Sequence, residues 1–166
     1  MSVLTFKLFT TMGNIVREVA RVVAGGANKV AGFTGAMRDV DLVTLEKGMK
    51  FKYTGNEDVY EQDFNGNKTQ FVFLPVNGDE NNVMAFYPSV FWKSRAVCKE
   101  DGSLTGVREK TTGTAADAFR ACGTVAEGMN AIKNREFVIA DMKTVKCLKY
   151  GSTQVVNAQI PVIDFV

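Results

Sequence analysis

YEQDFNGNKTQFVFLPVNGDENNVMAFY, residues 60–87, is the stretch that decides the fold class of this chain. Asn-Gly pairs at Asn65-Gly66 and Asn77-Gly78 separate three segments in which aromatic and β-branched residues are frequent. An Asn-Gly pair between such segments is typical of a tight turn joining two antiparallel strands, because both residues readily adopt a positive φ. The stretch therefore predicts two consecutive hairpins.

Short segments on both sides continue this pattern. Met49, Phe51 and Tyr53 alternate with lysines, which predicts a half-buried strand. Residues Val90–Cys98 predict a further strand, which ends at a turn over Asp101-Gly102. Four more segments near the end of the chain have strand character, and a turn at Gly151-Ser152 divides them into two pairs: Phe137–Ala140, Met142–Tyr150, Gln154–Ala158 and Ile160–Val166.

Residues 113–133 interrupt the strand pattern. Thr114 with Asp117, and Thr124 with Glu127, have the spacing of a capping box, in which a hydroxyl and a carboxylate satisfy the first amides of a helix. Gly123 lies between the two boxes and predicts the end of the first helix. The sequence thus predicts a β-rich α+β fold, an antiparallel meander or a small barrel or sandwich, with two short helices around residues 114–132.

The N-terminal residues follow a different pattern. Apolar side chains recur at helical spacing between Met12 and Ala24, so an amphipathic helix is expected before Gly25-Gly26. Residues 25–37 contain four glycines and small side chains, which predicts a linker. We therefore expect a helical, glycine-rich arm over residues 1–44 and a β-rich globular domain over residues 45–166.

The composition restricts the chemistry that this chain can perform. There is no histidine, which removes imidazole bases, Ser-His and Cys-His nucleophile pairs, and histidine-containing metal sites. Twenty basic and eighteen acidic residues are spread along the chain, a balance that disfavours a duplex-binding protein. The three cysteines form no Cys-x-x-Cys motif and predict buried free thiols in a reducing compartment: Cys98, Cys122 and Cys147.

The candidate catalytic and ligand-binding motifs do not have the residue spacing that the known sites require. The glycines at 25–26 lack the P-loop arrangement, and the four carboxylates of residues 57–63 lack the alternation of a calcium loop, so they predict a solvated acidic face. Lys93 and Ser94 are adjacent on a predicted strand and would face opposite sides. The sequence predicts no enzyme activity, no metal, no cofactor and no small-molecule substrate.

The sequence also lacks recognisable membrane and export segments. The opening apolar run, Val3–Phe9, is short and interrupted by Lys7, which does not fit a signal peptide. No stretch approaches the roughly 20 apolar residues of a spanning helix. We expect synthesis in a cytoplasm, with incorporation into a viral particle as a further step.

The first functional hypothesis is a non-enzymatic structural or assembly protein, a capsid-associated subunit of a phage or virus particle. It follows from the lack of a catalytic motif and from the glycine-jointed arm, which could reach an adjacent subunit. The expected partners are copies of this chain and other structural proteins. The arm residues predicted to dock on a partner are Ile15, Val19, Val22 and Val23.

The alternative hypothesis is a single-stranded nucleic-acid binding protein with an OB-like barrel. Aromatic residues alternate with basic ones on several predicted strands, as in proteins that stack bases and neutralise phosphates. The same alternation is typical of any half-buried strand whose aromatic side chains face the core. The stacking candidates are Phe51, Tyr53, Trp92 and Tyr150, and the phosphate-binding candidates are Lys50, Lys52, Lys93 and Arg95.

Overall fold

A computed structural model describes residues 7–9, 27–34, 45–64 and 66–166. Within these ranges the chain forms ten strands, two α-helices and one 3-10 helix, the last spanning Pro88–Trp92. The helices are α1 (Thr114–Arg120) and α2 (Val125–Ile132). The strands are β1 (Lys7–Phe9), β2 (Asn28–Val30), β3 (Lys50–Lys52), β4 (Val59–Phe64), β5 (Asn67–Val76), β6 (Asp79–Phe86), β7 (Ser94–Cys98), β8 (Leu104–Lys110), β9 (Glu136–Leu148) and β10 (Val155–Phe165).

The strands form two five-stranded sheets. The first has the order β1-β6-β5-β4-β2, and the second has the order β10-β9-β7-β8, with β3 also paired to β9. Every pairing between these strands is antiparallel. The structure therefore confirms the predicted β-rich α+β class.

The turns predicted from the 60–87 stretch join the strands of the first sheet. Phe64 pairs with Asn67 across the β4–β5 turn, and Val76 pairs with Asp79 across the β5–β6 turn. Asn77 adopts a φ of 56° in the second turn. It exchanges two hydrogen bonds with Lys50 of β3, at 2.8 Å from its N–H and 2.9 Å to its Oδ1. This turn therefore also connects the first sheet to the second.

Two strand predictions are corrected in their details. Residues 90–92 belong to the 3-10 helix rather than to the start of a strand, because Pro88 begins a turn in which the Val90 amide donates to Tyr87 O. The four segments near the C-terminal end merge into two long strands, β9 and β10. Pro161 is accommodated within β10 because β10 is the outermost described strand of its sheet.

Both helices are present, but only one has the predicted cap. Thr124 Oγ1 accepts a hydrogen bond from the Glu127 amide at 3.2 Å, as the capping box requires. The amide of Thr114 instead donates to Asp164 Oδ1 of β10 at 2.9 Å, and Thr114 Oγ1 accepts from the Phe165 amide. The predicted Thr114–Asp117 box was wrong because a distant carboxylate caps α1.

An aromatic cluster links the two sheets. Phe86 of the first sheet lies 5.5 Å, between ring centroids, from Phe51 and from Phe137 of the second sheet. Phe91 of the 3-10 helix contacts both Phe86 and Phe137, and it stacks on Phe119 of α1 at 4.5 Å. All five rings are almost fully buried, and each contributes about 1.5–3 kcal/mol on burial. This cluster is the centre of the hydrophobic core.

Part of the predicted arm belongs to the first sheet. β2 pairs with β4, and Ala27 and Phe33 beside it are buried. Residues 27–34 are therefore not a free linker, because they complete one edge of a sheet and bury an aromatic ring. The boundary at residue 44 otherwise stays a prediction, and the docking stripe lies outside the described residues: Ile15, Val19, Val22 and Val23.

The contact between α1 and α2 gives a test of this packing. A Cβ added at Gly128 of α2 would lie 2.7 Å from the buried ring of Phe119. We expect Gly128→Ala to lower the free energy of unfolding by about 1–2 kcal/mol, because overpacking costs about 1–3 kcal/mol and alanine's helix propensity offsets at most about 1 kcal/mol. Urea denaturation followed by circular dichroism measures the change.

Gly123→Ala is the matched control. A Cβ at Gly123 would meet only Glu127 Oε2, at 4.0 Å, so the free energy of unfolding should change by less than about 0.5 kcal/mol. Equal effects of the two substitutions would contradict the packing of Gly128 against Phe119.

Candidate functional site

The hairpin of β7 and β8 contains β8, the most exposed strand of the described structure. Its turn is fixed by Asp101, whose Oδ1 accepts hydrogen bonds from the Ser103 amide at 2.9 Å and from Ser103 Oγ at 2.6 Å. These hydrogen bonds lower the pKa of the Asp101 carboxyl. The turn therefore keeps a charged acceptor at its tip through the neutral pH range.

β8 exposes almost every side chain that it carries. Six of its seven residues are exposed, and Glu109 is half-buried. Two of the exposed side chains are large and apolar: Leu104 is 64% exposed and Val107 is 51% exposed. β8 is also the outermost described strand of the second sheet. An exposed edge strand with two accessible apolar side chains is a template for pairing with another strand.

Charged side chains occupy the second half of β8. Arg108 donates from Nε to Ser94 Oγ at 3.0 Å, and Glu109 forms an ion pair with Lys143 of β9 at 3.3 Å. A shift in register between Ala96 and Cys98 bends the hairpin beside these residues. The charges and the bend limit which strand can pair with β8, since natural edge strands use both to prevent indiscriminate pairing.

The eight candidates for nucleic-acid binding fall into two separate groups. The first group lies on or next to β3, where Phe51 and Tyr53 are buried and Lys50 and Lys52 are exposed. Phe51 belongs to the aromatic cluster, and Tyr53 contacts Phe33 edge to face at 6.2 Å. Neither ring presents a face to solvent, because both fill the core beneath the two lysines.

In the second group, Trp92 and Lys93 precede β7, Arg95 lies in it, and Tyr150 follows β9. Trp92 is 40% exposed and Tyr150 is 52% exposed, while Lys93 and Arg95 are buried. The Arg95 guanidinium lies 3.6 Å from the centre of the Tyr150 ring, a cation–π contact. The two aromatic residues, rather than the two cations, are therefore the accessible members of this group.

The two groups lie far apart along β9. β3 pairs with β9 as far as Val138, and β7 pairs with β9 at Cys147. Nine residues of extended chain separate these points, which is about 30 Å at roughly 3.3 Å per residue. The structure therefore does not bring the eight predicted residues into one groove.

A cleft of about 430 Å³ lies between α2 and the loops that flank β3. Its buried floor is formed by Phe33, Tyr53, Val59 and Met129, and its rim by Glu57, Asp58, Asn130 and Lys133. The Lys133 stem crosses Gly55 so closely that a Cβ there would lie 2.7 Å from Lys133 Cε. More than half of the accessible lining of the cleft is polar, because the apolar side chains at its base are almost fully buried.

Both carboxylates of the cleft have partners. Glu57 accepts hydrogen bonds from the Thr54 amide at 3.1 Å and from Thr54 Oγ1 at 2.8 Å. Asp58 pairs with Lys29 of β2 at 2.9 Å, and this contact raises the pKa of Lys29. At Glu57 and Asp58, the predicted solvated acidic face therefore consists of side chains with partners. Glu57 holds its own loop, and Asp58 links that loop to β2.

The described residues contain no group of three or more side chains suited to hold a metal ion, and none of their helices is long and apolar enough to span a membrane. Cys98 and Cys147 are buried free thiols, as predicted, whereas Cys122 is half-buried. No known protein family, no curated protein and no solved structure matches the chain. Function must therefore be inferred from the geometry of this molecule.

Sequence reasoning did not identify either the β8 edge or the cleft. β8 carries no strong alternation of apolar and polar residues, and its glycine at 106 interrupts the pattern. Ala126 and Asn130 are four residues apart on α2 and thus share a face, which is the one signal that could have pointed to the cleft. Nothing in the sequence pairs that face with residues 53–59.

The tyrosines give a test of burial around the cleft and the core. Burial, followed by the charge of Glu57, raises the pKa of Tyr53, and burial alone raises that of Tyr87 further. A raised pKa means that the fold favours the neutral phenol, so this stability is intact below the unfolded value of about 10 and is lost as the pH rises above it. Tyr87→Phe should flatten the alkaline loss of stability, measured by urea denaturation between about pH 9 and pH 11.

The phenol absorbance near 295 nm provides the control. Tyr87→Phe should remove a phenol that ionises only when the protein unfolds, so the early part of the titration should match that of the unchanged protein. Loss of an early-titrating phenol in this variant would contradict the burial of Tyr87.

Proposed function

We propose that this chain is a non-enzymatic structural or assembly protein, a capsid-associated subunit of a phage or virus particle. The observation that carries the proposal is the exposed outer strand β8, with Leu104 and Val107 accessible on it. In this proposal the occupant of the edge is a second copy of the chain. The two sheets would then pack as a small sandwich that neighbouring subunits extend.

Pairing at a strand edge suits this role because the backbone supplies the contacts. An added strand satisfies the outward N–H and C=O groups of β8, and Leu104 and Val107 lose water on association. Antiparallel pairing of β8 with the same strand of a second copy gives a self-complementary contact about a twofold axis.

The N-terminal residues supply the second contact of the proposal. β1 and β2, which are close in sequence, form opposite edges of the first sheet. The segment between them contains the apolar stripe, which we propose docks on an adjacent subunit: Ile15, Val19, Val22 and Val23. Arm exchange of this kind is a common means of joining subunits in closed assemblies.

The non-enzymatic part of the proposal is supported by the composition. Without histidine, a serine or cysteine nucleophile lacks its usual base, and general acid–base chemistry would depend on a carboxylate, lysine or tyrosine. The two carboxylates of the cleft already have hydrogen-bonding or ionic partners. The proposal assigns these carboxylates to positioning of the loops.

Self-association through β8 is the decisive experiment. We expect sedimentation velocity to show concentration-dependent association of the purified chain between about 1 and 100 µM. Leu104→Lys combined with Val107→Lys should weaken it at least about tenfold, because like charges would face each other at the edge. The melting temperature should be almost unchanged, since both side chains are exposed.

Ala131→Lys on the exposed surface of α2 is the matched control, because it adds a lysine away from β8. It should leave the association unchanged. A chain that remains monomeric over the whole concentration range, or an equal loss with Ala131→Lys, would contradict assembly through β8.

The alternative function, single-stranded nucleic-acid binding, is favoured by the exposure of Trp92 and Tyr150. Base stacking on these two rings would be strengthened by the Arg95 guanidinium beneath Tyr150. In this alternative, Trp92→Ala and Tyr150→Ala together should abolish binding of an oligonucleotide of about 20 nucleotides at low salt. Fluorescence anisotropy measures the affinity, and a protein without salt-sensitive binding would exclude this function.

A further inference from the structure

We propose that the outer face of the first sheet is the docking surface for residues 12–24, whose apolar stripe lies against it. The outer face is the side of the sheet that points away from the second sheet. Its aromatic side chains are Tyr60, Phe71, Phe73 and Tyr87. The inference rests on the proposed function in one respect, because arm exchange between subunits would place a neighbour's stripe on this same face.

Strand alternation places these rings on the side of the sheet opposite the hydrophobic core. Val59 of β4 and Val72 of β5 belong to the core cluster, and successive side chains of a strand point to opposite faces. Tyr60 stacks on Phe71 at 5.8 Å between ring centroids, and Phe73 contacts both rings edge to face at 5.6 Å. The outer face therefore carries an aromatic cluster of its own.

This cluster is covered although it points away from the core. Phe71 is 0% exposed, Tyr60 is 8% exposed, and Tyr87, whose ring lies 5.1 Å from that of Phe71, is 5% exposed. Val83 and Ala85 of β6 are also buried. A sheet face becomes buried only when another layer packs on it. Both α-helices direct their buried apolar side chains into the core cluster, so they do not form this layer.

The topology of the first sheet assigns the segment between β1 and β2 to this layer. Four antiparallel pairings separate the two strands, so β1 and β2 run parallel at opposite edges of the sheet. Parallel strands of one sheet are joined by a crossover of a dozen or more residues, usually a helix packed on a face of the sheet. Because the second sheet packs on one face through Phe86, the crossover uses the outer face.

The length and polarity of the segment suit this position. Four strand spacings of about 4.8 Å separate β1 from β2 by about 19 Å. The 13 residues of 12–24 would span about 20 Å as a helix, at about 1.5 Å per residue. Arg17 and Arg21 fall on the side of this predicted helix that faces water. The side that faces the rings carries four β-branched residues: Ile15, Val19, Val22 and Val23.

Photo-crosslinking of the full chain tests the contact directly. Photoreactive p-benzoylphenylalanine in place of Val19 should cross-link to the peptides that carry β4, β5 and β6. The same replacement of Arg17 is the matched control, and it should give at least about tenfold less of these products, because its side chain points to water. Mass spectrometry identifies the cross-linked peptides, and denaturing electrophoresis separates products within one chain from products between chains.

A charge substitution tests the same contact without the photoreactive group. Val19→Asp should lower the melting temperature by at least about 4 °C, because it would bury a carboxylate against the aromatic rings without a partner. Arg17→Asp, on the opposite side of the predicted helix, should change the melting temperature by less than about 2 °C. Differential scanning calorimetry measures both changes.

Three outcomes would overturn the proposal. These are cross-links from position 19 mainly to peptides outside the first sheet, equal cross-linking from positions 17 and 19, and equal losses of melting temperature in the two Asp variants. Cross-links to the outer face found only within single chains would support the docking surface and contradict arm exchange between subunits. Sedimentation measures self-association through β8 separately, so the two proposals can fail independently.

Discussion

The contact of Phe86 with Phe51 and Phe137 is the interaction on which the other features depend. These three rings join β6 of the first sheet to β3 and β9 of the second, and Phe91 and Phe119 extend the contact to the 3-10 helix and α1. Removal of any one of these rings would lower the stability of the fold, because the surrounding side chains do not refill the cavity left behind. Both candidate surfaces are positioned by this cluster, since the cleft borders β3 and the exposed hairpin follows the 3-10 helix.

Local chemistry explains which parts of the fold were predictable. The Asn77-Gly78 turn needs only a positive φ at neighbouring residues, so the two-residue motif was sufficient to place it. The cap at Thr124 is formed within four residues of the chain, so it was equally predictable from the sequence. The cap of α1 comes from Asp164, 50 residues away, and no local pattern predicts a partner at that distance. Residues 137–166 were divided too finely because the predicted breaks at Asp141 and Gln159 lie within the long strands β9 and β10.

The sequence could not predict the two candidate surfaces for a related reason. The alternation of Phe51 and Tyr53 with lysines fits a stacking groove and a half-buried strand equally well, and only burial distinguishes them. Burial depends on the partner sheet, which the sequence does not specify. The cleft combines residues 30–33, 53–59 and 126–133, so its side chains become neighbours only after the two sheets and α2 have packed. The predicted arm stripe follows from periodicity alone and stays a prediction.

The two surfaces differ in what they can recognise. An edge strand offers backbone groups that any extended segment can satisfy, so its selectivity must come from Leu104, Val107 and the charges beside them. The cleft offers side chains at fixed positions, so its selectivity depends on how a ligand matches their shape and polarity. A surface of the first kind suits repeated contacts between identical subunits, and one of the second kind suits a single small ligand. Since the chain has no histidine, neither surface contains the side chain that usually changes charge near neutral pH. Occupancy of both is therefore expected to depend on concentration rather than on imidazole protonation.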